Sequence, residues 1–586
     1  MEKKSLGNYL VDRTESLDDK SIIDYFIERN DDKIVRLLDK EQYLLEGSRG
    51  VGKTMLMKTA MLQSLEKFGQ NSILPVWISF EESIRLERIS IVNNNIDPFL
   101  QWTMGKILLE TLYMILKTKP EVIKELDNKL AKFFGKEAIS PDEKYSDLLK
   151  EYIKTLEKAD IKDSSELEKE TPSKELMNAL DNPYAFKEFL LTLIEDFKLS
   201  RIVFLFDEAA HVFSYSQQEK FFTFFKSLRD PKIACKAAVY PGITNYGKSF
   251  ERGQDAKELR IGWDARKVDD LRYIKNILKK RIQGYDKKAW EILTVDNDVI
   301  DMICICSNGN PRFAFHIVDE LKFDKKISTQ VLINTIRSVF KTKWTEFSTL
   351  KQRLLKYEIH INEAEKLMKE IIIPNLVEWN KNKIKKDKKS KLSGGFNMST
   401  GVYDKLYKVF SILDYSSLIN INHSKKALGQ KKQGYYISLN PSLLFTELII
   451  KDIAEFRNIS ISNDMNKEYS TGTSELIEII KQLKESNELV CSNATCDFRT
   501  TDDKVKFCPQ CGTPIKVNEP ISLYKILRSH DINYLKLSDK MKDRLNKKFK
   551  NIGEIYDADL DDIRMDYIQD VRIEKIKNSA IEYMAG

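Results

Sequence analysis

The sequence predicts an α/β fold in which helices dominate, with a doubly wound parallel sheet near the N-terminus and smaller modules after it. Three observations predict this fold. A chain of 586 residues is long enough for several domains of roughly 150 residues each. Its 22 glycines and 14 prolines are few for this length, which disfavours turn-dense all-β architectures. A short apolar run leads into a glycine loop and then into apolar positions at helical spacing, which is the order strand, loop and helix.

The overall composition excludes several classes of protein. Apolar residues make up 42% and charged residues 32%, and no run of 18 uninterrupted apolar residues occurs, so we expect no membrane span. The 96 basic and 89 acidic residues nearly cancel to +7, so a nucleic-acid site would have to be a local patch. The N-terminal residues lack the apolar stretch of a secretory signal, which predicts a cytoplasmic, reducing location. We therefore expect Cys235, Cys304 and Cys306 to be core residues, since they lie in apolar stretches.

A complete P-loop lies at residues 43–54, which read YLLEGSRGVGKT. Its glycines let backbone N–H groups close around phosphates, Lys53 reaches the β/γ-phosphates, and the Thr54 hydroxyl binds Mg²⁺. The sequence therefore predicts ATP and Mg²⁺ as cofactors. The predicted nucleotide-binding residues of the loop are Gly47, Ser48, Arg49, Gly50, Val51, Gly52, Lys53, Thr54 and Met55.

A second acidic element follows at RIVFLFDEAAH, residues 201–211. Residues 202–206 form a continuous apolar run, as in a buried parallel strand, and α/β sheets bind ligands at the carboxyl ends of such strands. A P-loop ATPase needs one carboxylate for Mg²⁺ and another to activate water. We predict that Asp207 binds Mg²⁺ and that Glu208 is the general base, on a strand next to that of the P-loop.

The remaining strands of the sheet are predicted at 72–80, 233–242 and 258–263. Residues 98–195 alternate apolar helical stretches with charged residues, which predicts a helical insertion. Extra packing on the domain surface and a partner-binding role are both open for this insertion.

The order P-loop, Asp-Glu strand, VYPGITNYG and NGNPRFAFHIVDEL resembles the AAA+ ATPases of the origin-recognition and replication-initiator group, in a divergent bacterial form, over about residues 21–465. The resemblance implies a polar γ-phosphate sensor at Thr244 or Asn245. It implies a helical lid in which Arg312, in the setting Gly309-Asn310-Pro311-Arg312, is a second sensor. It also implies an arginine that acts in trans on a neighbouring subunit, for which Arg252 is the candidate and Arg260 lies nearby.

Initiator-type ATPases carry a winged helix after the lid, and residues 350–465 are similar. Residues 403–422 read as a helix running into a strand and residues 434–445 begin with the returning strand, with a wing between them. A solvated lysine-rich loop and contact with duplex DNA phosphates are both open here. Four lysines crowd the wing, and seven more lie in residues 381–391; the wing lysines are Lys425, Lys426, Lys431 and Lys432.

Four further cysteines, Cys491, Cys496, Cys508 and Cys511, resemble a zinc ribbon. Four thiolates satisfy tetrahedral Zn²⁺ and leave no position open for water, so the predicted metal is structural. The first pair is spaced by four residues rather than the usual two. Reduced cysteines without metal are the alternative.

The last residues look like a small helical module of helix-hairpin-helix type. The hairpin at 568–572 lacks the two glycines with which such motifs clamp phosphates, which favours protein docking or oligomerisation over DNA binding. Its predicted core consists of Ile552, Ile555, Ala558, Leu560, Ile563, Ile568, Ile573, Ile576 and Ala580.

Together these features predict an AAA+ ATPase that couples ATP binding and hydrolysis to assembly and to nucleic-acid or partner engagement. A separate effector protein and a place in an anti-phage or mobile-element system are expected from the resemblance. A nucleotide-dependent DNA-binding adaptor with slow turnover and a true replication initiator are the alternatives. The predicted divisions are a tail (1–20), the ATPase domain (21–265), the lid (266–349), the winged helix (350–465), a linker helix (466–487), the zinc ribbon (488–516) and the helical module (517–586).

Overall fold

The structure is a computed structural model. It describes residues 17–29, 31–80, 97–135, 144–158, 163–171, 174–209, 215–264, 267–323, 326–352, 357–386, 392–428, 433–447, 474–485, 507–513, 523–535, 537–565 and 570–585, and short stretches or single residues at 14, 83, 86, 89, 354, 449–450, 459–460, 468–469, 489–490, 493, 496, 499–500 and 568.

The first 264 residues contain the main sheet and the helices around it. In chain order the elements are α1 (Asp19–Tyr25), α2 (Lys33–Leu38), β1 (Tyr43–Glu46), α3 (Lys53–Glu66), α4 (Phe68–Asn71), β2 (Ile73–Ser79), α5 (Pro98–Thr118), α6 (Ile123–Phe133), α7 (Tyr145–Glu157), α8 (Ser164–Glu170), α9 (Lys174–Ala179), α10 (Pro183–Asp196), β3 (Arg201–Asp207), α11 (Tyr215–Ser227), β4 (Ile233–Val239) and β5 (Lys257–Arg260).

The five strands form one parallel sheet in the order β2-β3-β4-β1-β5. The predicted α/β fold is thus confirmed, and the fifth strand is shorter than expected, ending at Arg260. The order corrects one expectation. The strand that ends in Asp207 is not next to the P-loop strand β1, because β4 lies between them.

The second part of the chain begins with five helices: α12 (Val268–Gln283), α13 (Lys287–Thr294), α14 (Asn297–Cys306), α15 (Pro311–Asp319) and α16 (Thr329–Thr349). It continues with α17 (Glu358–Lys366), a π-helical turn (Leu367–Ile372), α18 (Ile373–Lys386), β6 (Leu392–Ser393), β7 (Gly395–Ser399), α19 (Thr400–Tyr403), α20 (Tyr407–Tyr415), β8 (Ile419–Ala427), β9 (Gln433–Leu439), α21 (Pro441–Thr446), β10 (Ile459–Ser460), β11 (Glu468–Tyr469) and α22 (Ser474–Glu485). Strands β11, β7, β9 and β8 form a sheet in that order, and β8 and β9 are an antiparallel hairpin at the predicted wing.

The C-terminal part contains β12 (Leu489–Val490), β13 (Arg499–Thr500), α23 (Leu523–Ser529), α24 (Asp539–Leu545), α25 (Ile552–Asp557), α26 (Leu560–Ile563) and α27 (Asp570–Ala585). Its helices enclose a separate hydrophobic core between Tyr524 and Met584. Leu560 was expected in this core but is 50% exposed, because it is the first residue of α26 and Asp559 is its N-cap.

Several helices begin with the same pair of residues. Asn or Asp caps the helix by accepting backbone N–H groups, and proline follows at the first helical position, where its missing N–H costs nothing. The pair occurs at Asp97-Pro98, Asn182-Pro183, Asn310-Pro311 and Asn440-Pro441, before α5, α10, α15 and α21.

The ATPase sheet, the lid helices and the region of residues 350–483 share one continuous core, from Leu37 to Leu483. The predicted helical insertion consists of α5–α10, and α5 packs against strand β2. Because the core is continuous, residues beyond the lid lie directly against the ATPase domain.

Candidate nucleotide-binding site

The P-loop connects β1 to α3 with a backbone that only glycine adopts easily. Gly50 and Gly52 have φ angles of 87° and 97°, in the region where a side chain is strained. Gly47 lies so close to the residue that follows the neighbouring strand β5 that an added Cβ would be 2.2 Å from the Ile261 carbonyl oxygen. The loop is therefore held tightly at the carboxyl end of the sheet, where helix α3 presents its N-terminus.

The other predicted loop residues surround this turn. Val51 is buried and its carbonyl oxygen accepts a 3.1 Å hydrogen bond from the Trp263 indole. Thr54 and Met55 are half-buried in the first turn of α3. Thr54 is thus at the helix N-terminus, beside Lys53, as a P-loop threonine must be to reach Mg²⁺.

Lys53 is buried within the loop. Its Nζ donates to the carbonyl oxygens of Gly47 at 2.7 Å and Ser48 at 3.2 Å, and it lies 3.8 Å from the centroid of the Tyr240 ring. Burial lowers the pKa of Lys53 to about 7, against the opposing effect of the Glu208 and Asp207 carboxylates. The Lys53 ammonium is therefore within electrostatic reach of both carboxylates, the predicted Mg²⁺ ligand and the predicted base.

The two carboxylates stand at the end of β3. Asp207 is buried, and its Oδ1 accepts the backbone N–H of Glu208 at 3.1 Å. Glu208 has a φ of 57°, an unusual backbone conformation for a residue with a side chain. Its carboxylate accepts the Tyr240 hydroxyl at 3.2 Å. The two neighbouring carboxylates therefore have different partners, the Glu208 backbone N–H for Asp207 and the Tyr240 hydroxyl for Glu208.

The lid meets the P-loop through residues that follow α14. The Asn310 side-chain amide donates to the Arg49 carbonyl oxygen at 2.6 Å, and the Arg312 backbone N–H lies 3.5 Å from the Gly50 carbonyl oxygen. A Cβ added to Gly50 would lie 2.9 Å from the Arg312 Cβ. The predicted second sensor therefore lies beside the phosphate loop, and the positive charge of Arg312 is one of the causes that lower the pKa of Lys53.

The predicted γ-phosphate sensors make local contacts. The Thr244 hydroxyl accepts the Tyr240 backbone N–H at 2.9 Å. The Asn245 backbone N–H donates to Gln218 Oε1 at 2.6 Å, and its side-chain oxygen accepts the Gly247 N–H at 3.1 Å. Asn245 is therefore part of the turn after β4, and its sensor role stays a prediction.

Sequence reasoning missed Tyr240, the residue that contacts both Lys53 and Glu208. The available signal was its position directly after β4, the strand that lies between β1, which precedes the loop, and β3, which ends in the carboxylates.

The candidate trans-acting arginine forms ion pairs within its own chain. Arg252 contacts Glu258 at 2.7 Å and Glu46 at 3.0 Å, and Arg260 reaches Glu46 at 3.6 Å. Glu46 is the last residue of β1, so this cluster lies directly before the P-loop. A trans role of Arg252 would require that these ion pairs exchange, and it stays a prediction.

Helix α20 packs against this end of the ATPase sheet. Lys408 Nζ donates to the Gly242 carbonyl oxygen at 2.6 Å, and a Cβ on Gly242 would lie 2.3 Å from Ser411 Cβ. The Tyr415 ring meets the Tyr240 ring edge-on, at 5.5 Å and 86°. Of the residues of α20, only Tyr407 is exposed.

Three of the four predicted zinc ligands are described and lie together. The sulfur atoms of Cys496, Cys508 and Cys511 are all within 4.8 Å of one another, and the first two are 3.6 Å apart. The Gln510 backbone N–H points at the Cys508 sulfur at 3.4 Å. Cys491 lies outside the described residues. Cys235, Cys304 and Cys306 are buried, as expected of core residues.

The strand order, with the phosphate loop at the end of β1 and a helical lid against it, is the arrangement of an AAA+ ATPase fold. The chain can be placed more closely within this class. The model of the family described as ORC-CDC6-like matches residues 10–389, more than half of the sequence, and the protein belongs to that family. The predicted resemblance is thereby confirmed.

Solved structures that match include that of the Aeropyrum pernix ORC1 protein in complex with DNA. Its identity to this chain is 10%, the match covers 72% of this chain and 92% of that one, and the TM-score is 0.25. Among curated proteins, none matches this chain. Within the described part of the chain, no helix is both long and apolar enough to cross a membrane.

Proposed function

We propose that the protein binds ATP with Mg²⁺ at the P-loop and hydrolyses it. The observation that carries this proposal is the surroundings of Lys53. Its ammonium lies in the phosphate loop, and the charges of Asp207 and Glu208 both act on its pKa. The Tyr240 side chain contacts both this ammonium and the Glu208 carboxylate. Membership of an AAA+ family that generally binds ATP supports the same conclusion.

Each residue has a separate role in this proposal. Backbone N–H groups of the loop and the start of α3 hold the phosphates, and Lys53 neutralises them. Thr54 and Asp207 offer the oxygen ligands that Mg²⁺ prefers, and the ion would neutralise charge on the phosphates. Glu208 accepts the proton of the attacking water, and Arg312 stabilises the phosphates from the lid.

The test separates binding from hydrolysis. Glu208→Gln should still bind ATP, while turnover falls by about 100-fold, as loss of a general base does. Lys53→Ala should lose binding. Glu188→Gln, which changes an exposed carboxylate on α10, should match the wild type. Equal ATPase rates in wild type and Glu208→Gln would remove the assignment of the base.

We further propose that the lysine-rich end of α18 and the β8–β9 hairpin contact nucleic-acid phosphates, with duplex DNA as the expected partner. Lys381, Lys385 and Lys386 are exposed at the end of α18, and Lys425 is exposed on β8. Lys383 is half-buried and lies 5.8 Å from the centroid of the Trp379 ring. The other predicted lysines, Lys388, Lys389, Lys391, Lys431 and Lys432, lie outside the described residues, as does the side chain of Lys426. Four exposed cations support phosphate contact and carry no base specificity.

The cysteine cluster is proposed as a structural Zn²⁺ site, with Cys491 completing the set of four. Three sulfurs within 4.8 Å and a backbone N–H directed at one of them fit a tetrahedral thiolate site. Self-assembly, a separate effector protein and a defence role stay predictions from the resemblance. A nucleotide-dependent adaptor with slow turnover is the second candidate, favoured by the hydrogen bond that holds Glu208 against Tyr240.

A further inference from the structure

Tyr240 stands between the two residues that the proposed reaction uses most. It follows the last residue of β4, is 3% exposed, and lies with its ring 3.8 Å below the Lys53 ammonium. Its hydroxyl is 3.2 Å and 3.3 Å from the two oxygens of the Glu208 carboxylate. One side chain therefore contacts both charged groups.

Both contacts are attractive for clear physical reasons. Burial raises the pKa of the Tyr240 phenol well above its usual value, with Glu208 adding to the effect, so the hydroxyl keeps its proton and donates. A hydrogen bond to a carboxylate is stronger than one between neutral groups. The face of an aromatic ring attracts an ammonium group, more so where water is excluded.

These contacts oppose the positions that hydrolysis needs. Lys53 must leave the Gly47 and Ser48 carbonyl oxygens and the ring to reach a terminal phosphate. Glu208 must release the hydroxyl to accept a proton from water. We propose that Tyr240 is a positioning residue that restrains Glu208 and Lys53 in a resting arrangement, an inference that rests on the proposed ATPase function.

The restraint also depends on α20. The edge of the Tyr415 ring packs on the Tyr240 ring, and Lys408 holds the carbonyl oxygen of Gly242, two residues after Tyr240. Docking of α20 therefore fixes the tyrosine in place, and weakening of that contact should partly release it.

The experiment compares steady-state ATP hydrolysis by the full chain and its variants. Tyr240→Phe keeps the ring and removes the hydroxyl, so kcat should rise about tenfold, the effect of one hydrogen bond to a charged group, with KM for ATP unchanged. Tyr415→Leu should give a smaller rise. Tyr246→Phe, which removes a buried hydroxyl from the same segment, is the matched control and should change neither constant.

In a Glu208→Gln background, Tyr240→Phe should no longer raise kcat, because the restrained base is absent. A Tyr240→Phe protein with unchanged or lowered kcat would overturn the inference.

A second measurement does not depend on hydrolysis. Tyr240→Leu removes the ring below Lys53, so a non-hydrolysable ATP analogue should bind about threefold more tightly, with a smaller gain for ADP. Unchanged or weaker affinity for the analogue would overturn the inference. If the wild type does not hydrolyse ATP under any condition, the proposed ATPase function fails, and the binding comparison still decides the role of Tyr240.

Discussion

The side-chain amide of Asn310 donates to the carbonyl oxygen of Arg49 at 2.6 Å, across 261 positions of sequence. The same side chain caps α15 by accepting the Phe313 N–H at 3.2 Å. One asparagine therefore starts a lid helix and ties that helix to the phosphate loop.

Replacing this residue should weaken nucleotide binding as well as stability. Asn310→Ala should lower the free energy of unfolding by about 1 kcal/mol, because the helix cap is lost. It should also reduce ATP affinity about tenfold, because the hydrogen bond to the Arg49 carbonyl oxygen is lost. Asn182→Ala is the control, because it removes the same kind of cap from α10, away from the loop. Calorimetric titration with ATP and thermal unfolding measure the two effects, and equal affinities in both variants would contradict the prediction.

Gly50 should tolerate no side chain. In Gly50→Ala the Cβ would lie 2.6 Å from Asn310 Oδ1 and 2.9 Å from Arg312 Cβ, so the lid would move away and ATP affinity should fall at least about tenfold. Gly135→Ala has a similar positive φ but nothing within 4 Å, so it isolates backbone strain. Binding assays on both variants check this, and full affinity in Gly50→Ala would refute the contact.

The docked helix α20 should make stability depend on pH. Asp414 is half-buried, and desolvation raises the pKa of its carboxyl to about 7, with Arg260 opposing and Glu46 adding to the shift. Between about pH 4 and 7 the Asp414 carboxyl is ionised in the unfolded chain and protonated in the folded chain. Asp414 therefore lowers the free energy of unfolding more and more as pH rises, and this loss reaches a constant value above pH 7.

Asp414→Asn removes that titration. Its Tm should exceed the wild-type value by an amount that grows between pH 4 and 7, to about 3 °C, and then stays constant. Asp404→Asn, which changes an exposed carboxylate near α20, is the control. Differential scanning calorimetry across this pH range measures the difference in Tm, and a difference that does not change with pH would contradict the raised pKa of Asp414.

Metal analysis should find one zinc per chain. Cys508→Ser should lose the metal while ATP binding persists, because the sulfur cluster is remote in sequence from the P-loop; Cys304→Ala, a core cysteine, should keep it. Structural zinc contributes on the order of 10 kcal/mol to folding such modules. Less than a quarter equivalent in protein purified without chelators would reject the site.

Duplex binding should fall steeply with salt if the lysines contact phosphates, with a log–log slope of about −0.9 per phosphate. Replacing the four exposed lysines of the proposed site by glutamate should flatten this slope; they are Lys381, Lys385, Lys386 and Lys425. The control replaces four exposed lysines of the helical insertion by glutamate and should leave the slope unchanged; they are Lys124, Lys132, Lys150 and Lys154. Removing residues 517–586 should leave binding nearly intact. Fluorescence anisotropy across salt measures this, and flat wild-type curves would end the proposal.

The sequence alone predicts what is local along the chain. The P-loop and the strand that ends in Asp207 can each be predicted from a short segment, because the glycine pattern and the apolar run are each contained within about ten residues. Tyr240 could not be found this way, since its role depends on β4 lying between β1 and β3. The hydrogen bond from Asn310 to Arg49 could not be predicted either, because it joins two segments that are distant in sequence and come together only when the lid packs against the loop.

The position of α20 has a consequence for how a duplex could be read. In helix-turn-helix proteins the second helix enters the major groove. If the predicted winged helix is correct, α20 would be that helix, and here its side chains pack against Gly242 and Tyr240. The same side chains cannot touch base edges and the ATPase sheet at once. Sequence discrimination through α20 and the closed arrangement of this chain would therefore exclude each other, and the lysines of α18 and β8 that are proposed to contact a duplex carry no base specificity.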